Sequence, residues 1–173
     1  SLHVKLNCDL ASGHQQRGEL AEAMARARAC IEGMHRRQRS APSIGLLQAL
    51  NNGGQIATDA GELGQARAWL EEGLGLYPRL ATPNPSTQAL LETNLAVLDL
   101  HEDRVDTALA RLQALLPRAR ERFGPIHPRT TLVLDRLTTA QLAAGDAVAA
   151  LATARELLGA DTRGFGAAHP AVA

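Results

Sequence analysis

The sequence predicts an all-α fold of repeated helical hairpins, a prediction carried by composition and by two periodic markers. Aromatic residues make up only 2% of the 173 residues, while alanine and leucine dominate, which suits packed helices better than a β sandwich or barrel. A turn motif recurs every 42 or 43 residues as GELAEA from Gly18, GELGQA from Gly61, DRVDTA from Asp103 and GDAVAA from Gly145. A proline recurs with the same period, at Pro42, Pro85, Pro128 and Pro170.

Each unit is expected to contain two antiparallel helices. Proline suits the first turn of a helix because its missing N–H has no intrahelical partner there, and the Gly or Asp turn ends the first helix. The second helix has alanine near the turn, where two helices approach closely, and apolar residues at steps of three and four. The predicted pairs are 2–16 with 19–37, 43–60 with 62–77, 85–101 with 104–123, and 128–144 with 146–159. They form a single array of repeats at about 1–41, 42–84, 85–127 and 128–169, with 170–173 starting a truncated fifth unit, and residues 161–169 are expected to be a connecting loop.

Charge and hydropathy argue against several partner classes. Eighteen Lys and Arg residues balance 18 Asp and Glu residues, and the pI is near 7.0, which removes the usual electrostatic attraction to nucleic acid or an anionic membrane. No apolar window is long enough to span a bilayer, and the first residues lack a signal-peptide pattern. We therefore expect a cytoplasmic chain with no nucleic-acid or membrane partner, and the abundance of arginine and alanine indicates a bacterial source.

The sequence contains no recognisable catalytic or metal-binding pattern. Gly-x-Ser-x-Gly and HExxH are both absent, and the acids around His101 suit the start of the next helix. His127 and His169 precede proline at matching repeat positions and are interpreted as connector residues. Cys8 and Cys30 are too few for a disulfide framework or a zinc site, so buried small hydrophobic side chains are their expected role. We predict no catalytic residue, no metal and no cofactor.

The repeats resemble the tetratricopeptide repeats (TPR) of the kinesin light chain type, which have about 42 residues and also occur in bacterial signalling proteins. The turn-plus-alanine motif, the NLA segment from Asn94, and FGPIHPRT from Phe123 echoed by FGAAHPAV from Phe165 carry the resemblance. It implies an all-α right-handed superhelix (α-solenoid) of about four TPR-like hairpins, whose concave groove is lined by the first helices. It further implies a non-catalytic module that binds a peptide or partner protein, as part of a larger regulatory protein.

Placing the groove positions of that family on these helices gives ten polar candidates for partner binding. They are Lys5, Gln48, Asn51, Asn52, Gln55, Thr93, Asn94, Asp135, Arg136 and Thr139. Some TPR domains grip a C-terminal carboxylate with Lys, Arg and Asn on successive first helices. Asn94 and Arg136 match two positions of that clamp, but its lysine positions fall on Asn51 and Leu132, and a clamp without lysines loses most of its charge-assisted bonds.

Other interpretations remain open at this stage. The arginines of residues 25–39 form either an acidic-peptide or nucleic-acid patch or a solvated helix face, and the solvated face is favoured because no aromatic residue is interleaved. The array is alternatively a sensor whose ligand controls an attached kinase or transcription factor. It is alternatively a self-association module in which the last hairpin packs on a second copy through Leu151, Leu157 and Leu158.

Overall fold

The computed structural model describes residues 2–37 and 41–165, with only the backbone described for 161–165. Within these ranges the chain forms eight α-helices and one short 3-10 helix, and no strand. The α-helices are α1 (Leu2–Gln16), α2 (Leu20–Arg37), α3 (Ile44–Asp59), α4 (Leu63–Leu76), α5 (Pro85–His101), α6 (Val105–Phe123), α7 (Pro128–Ala143) and α8 (Ala147–Phe165), and the 3-10 helix is Tyr77–Arg79. The predicted all-α class is confirmed.

The recurring turn motif forms the same left-handed turn four times. The residue at the turn has a positive φ of 74° at Gly18, 75° at Gly61, 58° at Asp103 and 77° at Gly145. In each turn the next residue donates its N–H to a carbonyl five residues earlier, as in Glu19 to His14 at 3.0 Å and Arg104 to Asp99 at 2.8 Å. This bond satisfies a carbonyl that the end of the helix leaves without an intrahelical donor. Glycine favours this backbone conformation because it lacks a Cβ.

The alanine of each turn motif lies in the core. Ala23, Ala66 and Ala108 are fully buried, and Ala150 is 2% exposed. A side chain of one methyl group lets the second helix approach its partner closely. The expectation that these alanines pack in the helix interfaces therefore agrees with their burial.

Polar side chains cap the first helices close to the recurring prolines. Ser43 Oγ accepts a hydrogen bond from the N–H of Leu46 at 3.1 Å and caps α3. Asn84 Oδ1 accepts from the N–H of Ser86 at 3.0 Å at the start of α5. His127 Nδ1 accepts from the N–H of Arg129 at 3.0 Å and caps α7. Each cap satisfies a backbone N–H of the first helical turn; His169 and Pro170 lie outside the described residues.

The last helix is longer than the sequence predicted. α8 continues to Phe165, so the expectation of a loop over 161–169 is wrong at least through residue 165. Gly159 has no positive φ and lies inside the helix. Glycine alone costs a helix only about 1 kcal/mol, so Gly159 did not have to end α8.

The chain divides into two compact units, residues 1–98 and residues 99–173. In the first unit α1 packs on α2, α2 on α3, and α3 on α4. Glycines allow close approaches between its helices: a Cβ at Gly54 would lie 2.5 Å from Leu70 Cγ, and one at Gly73 would lie 2.8 Å from Leu91 Cδ2. In the second unit α6 packs on α7 and α7 on α8. Its most deeply buried side chains include Leu112 and Leu134, both fully buried.

None of the helices in the described ranges is long and apolar enough to cross a membrane.

The contacts of Glu19 at the turn between α1 and α2 should make the stability of the chain depend on pH. Glu19 accepts hydrogen bonds from Arg17 at 3.0 and 2.9 Å and lies 2.5 Å from His14 Nδ1. The hydrogen bonds from Arg17, and then from His14, lower the pKa of Glu19 from 4.5 to about 2. Because the folded pKa is depressed, the stabilisation is present above about pH 4.5 and is lost as the pH falls toward about 2. We expect the urea midpoint of the wild type to exceed that of Glu19→Gln at about pH 6, the difference to shrink as the pH falls below about 4.5, and the two midpoints to converge only below about pH 2.

The control for this experiment is Glu22→Gln, an exposed change on the same hairpin. A difference between wild type and Glu19→Gln that stays constant over this pH range would contradict the assignment.

Candidate functional site

The exposed side of α3 is a wholly polar stripe. Gln48, Asn52, Gln55 and Asp59 are the exposed residues of this helix, and they follow one another at steps of three or four. That spacing places them on one helix face. The apolar side chains of α3, which include Leu46, Leu47, Leu50 and Ile56, are buried at 1% exposure or less. The helix therefore combines a firmly packed core side with an uncharged amide surface along most of its length.

A chain of amide hydrogen bonds links α5 to this stripe. Asn94 donates from Nδ2 to Oδ1 of Asn51 at 2.9 Å, and Asn51 donates from Nδ2 to Oδ1 of Asn52 at 3.2 Å. Within the described part of the chain, Nδ2 of Asn52 and Oδ1 of Asn94 have no hydrogen-bond partner. The chain of amides thus fixes three side chains in place and leaves a donor at one end and an acceptor at the other.

The α5 side of this surface is partly apolar. Leu90, Asn94 and Val97 are each half-buried and follow one another at helical spacing. A neighbouring polar pair, Gln88 Nε2 donating to Glu92 Oε1 at 3.0 Å, includes a carboxylate that is only 8% exposed. We call five residues the amide face: Gln48, Asn52, Gln55 and Asn94 at the surface, and Asn51, which is only 5% exposed and lies between Asn94 and Asn52 in the hydrogen-bonded series.

The other predicted site residues have different environments. Thr93 is 1% exposed, and its hydroxyl donates to the carbonyl of Ala89 at 2.7 Å; the expectation that it lines an open groove does not fit this burial. Lys5 is exposed on α1. Asp135, Arg136 and Thr139 belong to the second compact unit, where Arg136 Nη1 lies 3.2 Å from Asp135 Oδ2 and the Thr139 hydroxyl donates to the carbonyl of Asp135.

The structure also shifts the repeat alignment around Asn51. The turn motif aligns Asn52 with Asn94, whereas the proline marker aligns Asn51 with Asn94. The hydrogen bond joins Asn51 to Asn94. The two alignments differ because the proline lies 19 residues before the turn residue in the second repeat (Pro42 to Gly61) and 18 residues before it in the third (Pro85 to Asp103).

The arginines of residues 25–37 do not form an open cationic patch. Arg28 pairs with Glu62, and Arg36 Nη1 lies 3.5 Å from Glu32. Arg26 is half-buried and donates to Asn7 Oδ1 at 3.3 Å. Arg39 lies outside the described residues. These contacts agree with the solvated helix face that the sequence favoured.

Cys8 and Cys30 form a disulfide bond, and the expectation of two unpaired cysteines is wrong. The bridge joins α1 to α2, with the two Cα atoms 5.0 Å apart. The positions of the two cysteines in the hairpin could have predicted this pairing. Cys8 lies ten residues before Gly18 and Cys30 twelve residues after it, so on two antiparallel helices they face each other. Because disulfide bonds persist mainly in oxidising compartments, this bridge does not favour the cytoplasmic location that the sequence led us to expect.

The acidic segment that begins in the last turn of α5 has a structural role. Asp99 is fully buried, and its two oxygens accept from Arg104 Nη2 at 2.7 Å and Arg111 Nε at 3.1 Å. His101 is exposed at the end of the helix. Among the described residues, no group of three or more His, Cys, Asp or Glu side chains is placed to hold a metal ion.

Comparison with solved structures identifies the fold. Two crystal structures of a kinesin light chain with nearly identical TPR-like repeats from Podosopora anserina are 17% identical to this chain. The first matches 94% of this chain and 76% of its own with a TM-score of 0.72. The second, of a single-substitution variant, matches 99% and 82% with a TM-score of 0.78. BtubC (BKLC) from P. vanneervenii is 18% identical and matches 88% of this chain and 61% of its own, with a TM-score of 0.74.

These similarities show a TPR-like helical repeat fold, as the sequence predicted. No protein-family model matches the sequence, and no curated protein matches it.

Proposed function

We propose that this chain is a non-catalytic protein-interaction module and that its amide face binds an extended peptide segment of a partner. TPR-like repeats are typical of interaction scaffolds, and helical repeat proteins use extended surfaces lined by successive repeats for binding. The observation that carries the proposal is the hydrogen-bonded series Asn94–Asn51–Asn52 on adjoining first helices of the first unit.

Amide side chains suit the backbone of an extended peptide. Each peptide unit of such a segment presents one N–H donor and one C=O acceptor, and an asparagine side chain offers both a donor and an acceptor. The mutual hydrogen bonds of Asn94, Asn51 and Asn52 hold these groups in position before the peptide arrives, which lowers the entropy cost of binding. Leu90 and Val97, half-buried on α5, would contact small apolar side chains of the peptide.

The neutrality of the amide face makes the proposal specific. Its five members carry no charge, so binding there depends on hydrogen bonds and packing rather than on ion pairs. Coulombic attraction between exposed charges weakens as salt rises. A carboxylate clamp or a basic patch would therefore lose affinity strongly with salt, whereas the amide face should keep most of it.

Peptide selection tests the proposal directly. Peptides enriched from a phage-displayed random library would be synthesised with a fluorescent label, and their affinity would be measured by anisotropy. The double variant Asn52→Ala/Gln55→Ala removes two exposed amides and should weaken binding by about 10- to 30-fold, since each lost hydrogen bond is worth roughly 1 kcal/mol. Raising NaCl from about 50 to about 500 mM should change the affinity by less than about threefold.

The matched control is Gln113→Ala, which removes an exposed amide from a second helix in the other unit. It should bind the selected peptides as the wild type does. Enrichment of no peptide, or affinities that Gln113→Ala lowers as much as the double variant does, would overturn the proposal.

Self-association is a second candidate, favoured by one contrast between equivalent repeat positions. Leu116 on α6 is 7% exposed, whereas Leu158, which is 42 residues later on α8, is 55% exposed. Leu151 on the same helix is 53% exposed, and the side chain of Leu157 is half-buried. Because α7 packs on α6, we propose that a first helix of a second copy covers this face of α8 in the corresponding way.

Sedimentation velocity tests this candidate. The wild type should form dimers at about 100 μM. Leu151→Asp should raise the dissociation constant of the dimer by about tenfold or more, because a buried unpaired charge is costly at an interface. A wild type that stays monomeric at this concentration would exclude the candidate.

A further inference from the structure

The disulfide bond joins α1 to α2, two helices that differ in how much of their apolar surface is packed in the core of the first unit. Cys8 lies in the middle of α1 and Cys30 in the second half of α2, 22 residues apart in sequence. Cys30 is 2% exposed and belongs to the apolar core of the first unit, together with Ala27 and Ile31. The bridge therefore ties α1 to a helix that is itself firmly packed.

Burial of large apolar side chains anchors α1 less firmly than α3. Its buried residues are Val4, Asn7 and Ala11, so a single valine supplies its only large apolar side chain in the core. Leu2 and Leu6 are 84% and 50% exposed. By contrast, α3 buries four large aliphatic side chains at 1% exposure or less. Because burial of apolar surface is the main force that docks a helix, α1 depends on the bridge far more than α3 depends on any single contact.

Polar contacts, which include the His14–Glu19 contact at the turn, add modestly to this anchoring. Gln15 Nε2 donates to Asp59 Oδ2 at 2.6 Å near the exposed end of the hairpin, and Arg26 donates to Asn7 Oδ1 at 3.3 Å. Net contributions of such bonds to stability are modest because water replaces them when they break. α1 packs closely on α2 at one point, where a Cβ on Gly33 would lie 2.6 Å from Val4 Cγ2.

The two sulfurs also differ in accessibility. Cys8 is half-buried at the surface of the hairpin, whereas Cys30 is buried beneath it. Thiol–disulfide exchange begins with attack of an external thiolate on one sulfur of the bridge, and access decides which sulfur is attacked. An external thiolate therefore reaches Cys8 first, and the sulfur of Cys30 is the leaving group.

We propose that the Cys8–Cys30 bridge is a redox switch that controls the docking of α1 on α2. A dithiol reductant attacks Cys8 Sγ, which forms a mixed disulfide and releases the Cys30 thiolate; the second thiol of the reductant then displaces Cys8. Two electrons and two protons pass to the protein, which gains two thiols, and the reductant becomes a disulfide. Once reduced, α1 detaches while the rest of the first unit keeps its fold. In a reducing compartment the undocked form dominates, and an oxidising shift docks the helix.

Hydrogen exchange read by mass spectrometry tests this switch on the whole chain. On reduction with a dithiol, amides of α1 should exchange at least about tenfold faster, while amides of α3 and α4 should change by less than about twofold, because local opening does not require global unfolding. The variant Cys8→Ala/Cys30→Ala should show the fast α1 exchange without reductant and should not respond to it. That second comparison separates loss of the bridge from any other effect of the reductant.

Three results would overturn the proposal. In the first, α1 exchange stays slow after reduction, which would mean that the noncovalent contacts suffice. In the second, exchange accelerates equally in α1, α3 and α4, which would mean that the bridge stabilises the whole first unit and not only the docking of α1. In the third, the air-equilibrated protein has two free thiols by intact mass, which would mean that the bridge does not form.

Discussion

Replacing Leu70 by alanine is expected to lower the free energy of unfolding by about 2–5 kcal/mol, since the change combines lost apolar burial with a cavity. Leu70 is fully buried on α4 and belongs to the core of the first unit. It lies against Gly54 of α3, where a Cβ would be only 2.5 Å from Leu70 Cγ. The measurement is the urea midpoint, with the slope of the transition checked for constancy.

Gly54→Ala provides the complementary change at the same contact. Alanine gains up to about 1 kcal/mol in helix propensity, but overpacking against Leu70 costs about 1–3 kcal/mol, so the single variant should be destabilised. In the double variant the new methyl group occupies part of the space that Leu70 leaves. The double variant should therefore be more stable than the sum of the single changes predicts, by about 0.5–3 kcal/mol.

Gly64→Ala on α4 is the matched control, because nothing lies within 4 Å of a Cβ built there. It should be neutral or slightly stabilising. If Gly54→Ala behaves as Gly64→Ala does, or if the changes in unfolding free energy simply add in the double variant, α3 and α4 do not cross closely at Gly54.

Replacing Asp99 by alanine is expected to be the second large effect, at about 1–3 kcal/mol. Its fully buried carboxylate accepts from Arg104 and Arg111 and thereby ties the end of α5 to α6. Removing one member of a buried ion pair costs about 3–5 kcal/mol when the remaining charge stays buried. Here the side chains of Arg104 and Arg111 are 43% and 29% exposed, so water partly solvates them and the cost is smaller.

The control for this change is Asp106→Ala, an exposed carboxylate in the first turn of α6, which should cost less than about 1 kcal/mol through its interaction with the helix dipole. Chemical unfolding of the two variants gives the comparison. Equal small losses would show that the Asp99 cluster contributes little to stability.

Much of the fold follows from the sequence because the repeat turns impose a local backbone requirement. A left-handed residue that ends a helix favours glycine or, as at Asp103, a short polar residue, and this preference leaves a periodic mark at Gly18, Gly61, Asp103 and Gly145. The alanine five residues later is buried in each repeat. The requirement for a small side chain between the two helices is therefore also visible in the sequence as a recurring alanine. Local rules thus specify where each hairpin turns.

Features that depend on contacts across helices were harder to predict. The pairing of Cys8 with Cys30 requires knowing which faces of α1 and α2 meet, and two cysteines in 173 residues are no framework. The burial of Thr93 depends on the rotation of α5 about its axis, because its neighbour Asn94 is half-buried at the surface. The spacing between proline and turn differs by one residue between the second and third repeats, so the sequence alone does not decide whether Asn51 or Asn52 pairs with Asn94.

The binding proposal is tested most directly by following the side-chain amides of the ¹⁵N-labelled chain by NMR while a selected peptide is titrated. The amide face predicts that the side-chain NH₂ resonances of Asn51, Asn52 and Asn94 shift together and saturate at one affinity, while that of Gln113 does not move. Peptide binding that shifts Gln113 or backbone amides of the second helices and leaves these three asparagines unchanged would contradict the proposed site.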